Sequence, residues 1–161
     1  MHSFEFTGET KVNPHGVTVR RIRATRDIPK AGVKKGDEGG WIDSAELTNG
    51  DARVYGNAWV YGNAWVSGDA WVYGNARVEK PWHLLVVGPI GSEGVTVTLA
   101  RTKKGKHILK VGCWSGTLGT LMAEVKRRRP DWSGDEATQE LWVAQYRALK
   151  TMGRATVKRW K

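Results

Sequence analysis

Residues 51–80 read DARVYG NAWVYG NAWVSG DAWVYG NARVEK. The unit is Asn/Asp-Ala-x-Val-x-Gly, apart from the last copy, which ends in Lys80. Its valines are Val54, Val60, Val66, Val72 and Val78, and its alanines are Ala52, Ala58, Ala64, Ala70 and Ala76. A period of six matches neither the 3.6 of a helix nor the 2 of a strand. It fits a chain that turns a corner after every six residues and closes a coil in about 18. Each position then has a steric reason. The valine points inward, where a β-branched side chain packs well. The alanine sits by the corner, where only a small group fits. Gly with Asn or Asp makes the turn, because these residues tolerate left-handed backbone angles. A degenerate earlier unit, with Ala45 and Leu47, is read ahead of these after a one-residue insertion.

An 18-residue coil fixes vertical neighbours. Val72 is expected over Val54, Val78 over Val60, Tyr73 over Tyr55 and Asp69 over Asp51. Arg53 falls beside Trp71 and Trp59 beside Arg77, two outward cation–π pairs worth roughly 0.5–1 kcal/mol each. Two coils are too few to stand alone, so the missing burial must come from flanking segments or other subunits.

The NAWVYG-type units, over roughly residues 43–80, resemble the hexapeptide-repeat family of left-handed parallel β-helices. The resemblance implies the left hand, where the general rule for parallel crossovers is right-handed. It also implies a homo-oligomer, a trimer in most members. The outward indoles Trp59, Trp65 and Trp71 are then the expected interface, since three exposed indoles make a costly surface. Coverage by the flanking segments is the alternative. Family enzymes use a histidine base for acyl transfer or three histidines on zinc. Here His2, His15, His83 and His107 all lie outside the repeats. No catalytic residue, metal or cofactor is therefore expected. His83, just past the last repeat, is what an acyltransferase remnant would have to use.

Residues 1–42 read as a β-rich cap, with Phe4 and Phe6 alternating and Val17, Val19 and Ile22 following. Its arginines Arg20, Arg21, Arg23 and Arg26 read as a solvated face. Residues 81–161 read as a small basic α+β domain in the order βββαα. The strands lie in HLLVVGPIGS, GVTVTLART and KHILKVGCW, with TKKGK as a hairpin turn. A helix follows, with Leu118, Leu121, Met122 and Val125 on one stripe and Pro130 as its stop. The second helix starts near Asp135, with Ser133 and Glu136 at capping-box spacing. Its expected buried stripe is Leu141, Ala144, Ala148, Leu149 and Met152, and Gly153 is where it would bend or end. The expected class is thus mainly β with α: cap 1–42, left-handed β-helix 43–80, α+β domain 81–161.

Residues 101–161 hold 15 Lys/Arg against 5 Asp/Glu, which accounts for the whole formal charge of +10. Such a field draws in anions. Cys113 is the one cysteine, so no intrachain disulfide forms. It precedes an expected helix start, a place that can activate a thiol, but reads as a small packing residue. No apolar run reaches the roughly 20 residues of a membrane span, and MHSFEFTGET lacks a signal-peptide core. The expected setting is cytoplasmic.

In GCWSGTLGT, Ser115, Gly116 and Thr117 are read as opening a helix with free N–H groups. Gly91 and Ser92 form a second glycine-rich connection, and Arg101 ends the next strand. If the strands lie side by side, these groups surround one anion, with Trp114 as a stacking face. The alternative reader of the charge is nucleic acid or a host protein, met by Arg127, Arg128, Arg129, Lys158, Arg159 and Trp160. The whole chain looks like small hexapeptide-repeat proteins of tailed phages and prophages. That resemblance, by analogy with phage traps for nucleotide signals, implies a non-enzymatic oligomer that sequesters a small phosphate-bearing ligand in counter-defence. A hexapeptide acyltransferase-like enzyme is the remaining alternative.

Overall fold

Valines spaced by six must share one interior if the chain turns a corner between them. The computed structural model describes residues 2–13, 16–29, 32–48, 53–54, 56, 58–60, 62, 66 and 71–160. Trp65, Tyr55, Asp51 and Asp69 lie outside these, as do the side chains of Arg53 and Trp71. The relevant strands are β3 (Glu38–Ile42), β4 (Arg53–Val54), β5 (Trp59–Val60), β6 (Trp71–Val72) and β7 (Arg77–Val78). They stack in parallel ladders. Ile42 pairs with Val60 and Val60 with Val78 on one face. Val54 pairs with Val72 on the second, and Thr48 with Val66 on the third. Every pair is 18 residues apart, and the three ladders follow one another at intervals of six. Val60, Val66, Val72 and Val78 are wholly buried and Val54 nearly so, each worth roughly 1.5–3 kcal/mol of burial.

The inward column starts earlier than the repeat suggests. Ile42 and Thr48 take the two rungs before Val54, so the expected one-residue insertion is absent. Thr48 is buried in a place that otherwise takes a β-branched apolar residue. Its hydroxyl donates to the Ala45 carbonyl at 3.3 Å, which answers its need for a partner.

Strands β1 (Phe4–Val12) and β2 (Thr18–Ala24) form an antiparallel hairpin that adds to β3. The five-stranded sheet runs β1-β2-β3-β5-β7. β3 is antiparallel to one neighbour and parallel to the other, so it belongs to both cap and stack. Ile22, Phe4 and Phe6 pack onto the core of the stack. A Cβ on Gly39 would lie 2.7 Å from both Ile22 Cγ1 and the Val54 carbonyl, so only glycine lets the two layers close. The arginines of β2 are engaged locally: Arg21 with Glu38 at 3.0 Å, Arg23 with Glu5 at 2.6 Å, and Arg20 with the Asp43 carbonyl.

The C-terminal sheet has four strands rather than three: β8 (Leu84–Ile90), β9 (Val95–Arg101), β10 (His107–Val111) and β11 (Trp114–Gly116). All neighbours are antiparallel, in the order β11-β10-β9-β8. Alternation divides its side chains between two cores. Val97, Leu99, Leu109 and Val111 meet helices α1 (Leu121–Arg128) and α2 (Glu136–Val157). Ala100, with Leu84 and Ile108, faces the other way and joins the core of the stack. The stack is thereby closed at both ends by its own chain.

Two helix expectations need correction. The cap of α2 is Asp135, whose carboxylate accepts from the Thr138 N–H at 2.8 Å, not Ser133. The buried stripe is Val143, Tyr146, Leu149 and Gly153, while Leu141 and Met152 are 58% and 44% exposed. The helix has two apolar faces, and Gly153 selects the inner one. A Cβ there would meet Leu118 Cδ2 at 2.7 Å, so this side packs closer than any other residue would allow. The helix continues through Gly153 to Val157.

Candidate functional site

The two connections expected to surround one anion lie at opposite ends of the sheet. With all strands antiparallel, the β8–β9 turn and the β10–β11 turn share one end, while the β9–β10 hairpin and the exit of β11 share the other. Ser92 and Trp114 line a narrow crevice of about 30 Å³ with Glu93, Glu124 and Arg128. Two carboxylates suit it poorly to an anion. Gly91 has a packing role: its φ is +75°, and a Cβ would lie 2.1 Å from Tyr146 Oη. Its N–H donates to Gln145 Oε1 at 2.9 Å. Arg101 is at the far end, where its Nε points to the Trp160 carbonyl at 3.4 Å.

Ser115 and Gly116 lie in β11 rather than at a helix start, and α1 begins at Leu121 after Thr120. Gly116 is covered by the Trp114 ring, which a Cβ would meet at 2.3 Å. The N–H groups expected to be free are used within the chain. Thr117 donates to Thr120 Oγ1 at 3.0 Å, Leu118 to His107 Nε2 at 3.0 Å, and Leu121 to the Thr117 carbonyl at 3.1 Å. Trp114 is half-buried in the core beneath the helices and is not an open stacking face.

A different arrangement forms around Ser115 and Thr117. They line an open cleft of about 680 Å³ with His107, Lys103, Lys104 and Lys106 of the β9–β10 hairpin and with Gly74 and Asn75 of the last coil. The hairpin is held against the coil by an Ala76–Thr102 bridge and by the Lys103 N–H on the Asn75 carbonyl at 3.2 Å. Among the described residues, none of these three lysines has a carboxylate partner, and no acidic side chain lines the cleft. The volume falls in the range of small-molecule sites, roughly 300–1,000 Å³. His107 accepts a hydrogen bond at Nε2, and burial holds its pKa below the usual value, so it stands neutral with Nδ1 as donor. Behind Ser115, the ammonium of the buried Lys110 donates to the Ser115 hydroxyl at 3.4 Å and to the Cys113 carbonyl at 3.3 Å. Burial, against a smaller opposing effect of Cys113, lowers its pKa. In the sequence TKKGK reads only as a turn; its three lysines in one hairpin without an acid are the available signal.

The other expected residues have local engagements. Arg127 grips Glu124 through two bonds of 2.7 and 2.8 Å, Arg128 meets Glu124 at 3.1 Å, and Arg129 meets Glu140 at 2.7 Å. Trp160 is 1% exposed, with its indole N–H on the Trp82 carbonyl, so it offers no ring to a base. Lys158 is exposed, and Arg159 lies over the Trp82 ring at 4.7 Å. Trp59 is half-buried against Trp41 and Val19 of its own chain, with Arg77 over its ring at 4.5 Å. The coverage by a flanking segment thus accounts for Trp59. His83 is buried, and its Nδ1 accepts from the Glu79 N–H at 3.3 Å. Burial first, and then the Arg101 charge, lowers its pKa to about 4.

Among the described residues no group of three His, Cys, Asp or Glu is placed to hold a metal ion, and no helix is long and apolar enough to cross a membrane. A family model described as YdcK beta solenoid repeat matches residues 52–68 and 59–74. The stack is accordingly a β-solenoid. No curated protein and no solved structure matches the chain.

Proposed function

We propose that this chain is a non-enzymatic binding protein that holds a small phosphate-bearing ligand in the cleft between the β9–β10 hairpin and the last coil. The observation that carries the reading is the set Lys103, Lys104 and Lys106, three ammonium groups from one hairpin over a nucleotide-sized cleft with no carboxylate on its walls among the described residues. Unneutralised cations around a concave surface favour a multiply charged anion. The Ser115 and Thr117 hydroxyls and the Asn75 amide add the polar contacts that fix orientation. We take the solenoid to be a left-handed hexapeptide β-helix; the 18-residue ladders support the coil, and the hand is what the resemblance of its Asn/Asp-Ala-x-Val-x-Gly unit to that family implies. It serves as the rigid floor of the site. The likeness of the whole chain to phage-carried hexapeptide proteins points to sequestration in counter-defence as the setting.

The test is calorimetry against cyclic nucleotides and ADP-ribose nucleotides. Binding is expected to weaken with salt and to fall about tenfold or more, roughly 1.4 kcal/mol, on changing Lys103, Lys104 and Lys106 together to Gln. Silence across the panel, or affinity indifferent to the triple change, removes the reading. The nucleic-acid alternative is less well supported, because Arg127, Arg128 and Arg129 already face carboxylates and Trp160 is buried.

A further inference from the structure

Helix α2 carries a second apolar face, and nothing among the described residues covers it. Leu141, Ala144, Ala148, Met152 and Ala155 are all exposed and fall at i, i+3, i+7, i+11 and i+14. They make one stripe about 21 Å long on the side away from Val143, Tyr146 and Leu149. Leu141 at 58% and Met152 at 44% exposure are the largest apolar groups that α2 gives to solvent.

We propose that this stripe joins two copies of the chain, with their α2 helices antiparallel about a two-fold axis at Ala148. Self-complementarity of shape is the first argument. In that alignment Leu141 of one copy lies over Ala155 of the other, Ala144 lies over Met152, and Ala148 meets itself. Each large side chain thus faces a small one, and the alanines let the helices approach to about 8 Å. A parallel alignment would instead set Leu141 on Leu141 and Met152 on Met152.

Charge is the second argument. One flank of the stripe carries Glu136 and Glu140 in the N-terminal half and Arg147, Arg154 and Lys158 in the C-terminal half. Antiparallel pairing brings like flanks together, so Glu140 of each copy comes beside Arg154 and Lys158 of the other. Glu136 and Glu140 share the single Arg129 guanidinium, at 3.5 and 2.7 Å, which leaves that end net negative. The two helix dipoles also oppose favourably. Arg147 is the one cation placed beside its own copy near the axis, on the solvent-open rim.

Sedimentation equilibrium on the full chain tests this. A dimer is expected that tightens as salt falls to about 50 mM. Ala148→Arg keeps helix propensity and exposure, so the monomer should fold, and it should weaken association at least tenfold. Glu140→Lys and Arg154→Glu should each weaken it, and the double swap should restore it. Arg147→Gln should tighten it. In a Cys113→Ser background, Ala148→Cys should oxidise to a covalent dimer. A monomer throughout, or an assembly that Ala148→Arg and the charge swap leave intact, overturns the proposal.

Discussion

Replacing Gly91 by alanine tests whether that loop serves packing rather than a ligand. The backbone there has φ +75°, where an L side chain costs roughly 1–2 kcal/mol. The new methyl would sit 2.1 Å from Tyr146 Oη and 2.8 Å from Cζ, so the ring must shift by about an ångström to reach ordinary contact. Tyr146 is 7% exposed and stacks on Trp132 with centroids 6.1 Å apart, so its displacement disturbs a filled core. Overpacking of this kind costs about 1–3 kcal/mol. The sum is roughly 2–5 kcal/mol, or about 4–20 °C in Tm for a domain of this size. Urea unfolding followed by tryptophan fluorescence reads it. In a Tyr146→Leu background the steric part disappears, and Gly91→Ala should cost only the backbone share of about 1–2 kcal/mol. An equal cost in both backgrounds, or a cost under about 0.5 kcal/mol in the native one, would refute the reasoning.

His83 gives a pH signature. Its folded pKa of about 4 lies below the 6.5 of the unfolded chain, so the unfolded state takes up the proton first. Stability should be full above about pH 6.5 and fall towards pH 4, by about 2 kcal/mol after allowance for solvent screening. His107 adds a slope of the same sign. His83→Asn keeps an acceptor for the Glu79 N–H and should flatten part of the slope in urea midpoints taken across that window; an unchanged slope would show that His83 is not its source. In the solenoid, Val66→Ala removes two buried methyl groups and should cost about 2–3 kcal/mol, whereas Val86→Ala, 39% exposed, should cost under about 0.5 kcal/mol. Equal costs at the two sites would mean that the inward column is not a packed core.

The solenoid was legible because a period of six has so few structural uses. Its first rungs were not: Leu47 looks like the core residue and Thr48 like a corner, yet register alone decides, and it places Thr48 inside. Pattern also failed on α2, where two stripes of similar strength exist and the choice rests on Gly153 meeting Leu118. β11 is three residues long and contains serine and glycine, so locally it resembles a turn into a helix; its pairing with Leu109–Val111 overrides that. The candidate site was partly legible. Ser115 and Thr117 do line a cleft, but with the lysine hairpin and not with Gly91 and Ser92. Strand adjacency was the correct premise. The direction of each strand, which sends alternate connections to opposite ends, was what local sequence did not contain.

A column sealed by its own chain above and below has a length that can be counted in whole storeys. Splicing 18 more residues into it would lengthen each ladder by one strand and carry the C-terminal sheet about 4.8 Å along the axis with its bearing unchanged. Splicing in six would swing that sheet by a third of a revolution and set another corner under Lys103, Lys104 and Lys106. What Asn75 confronts across the cleft is therefore fixed by arithmetic along the column as much as by the side chains themselves.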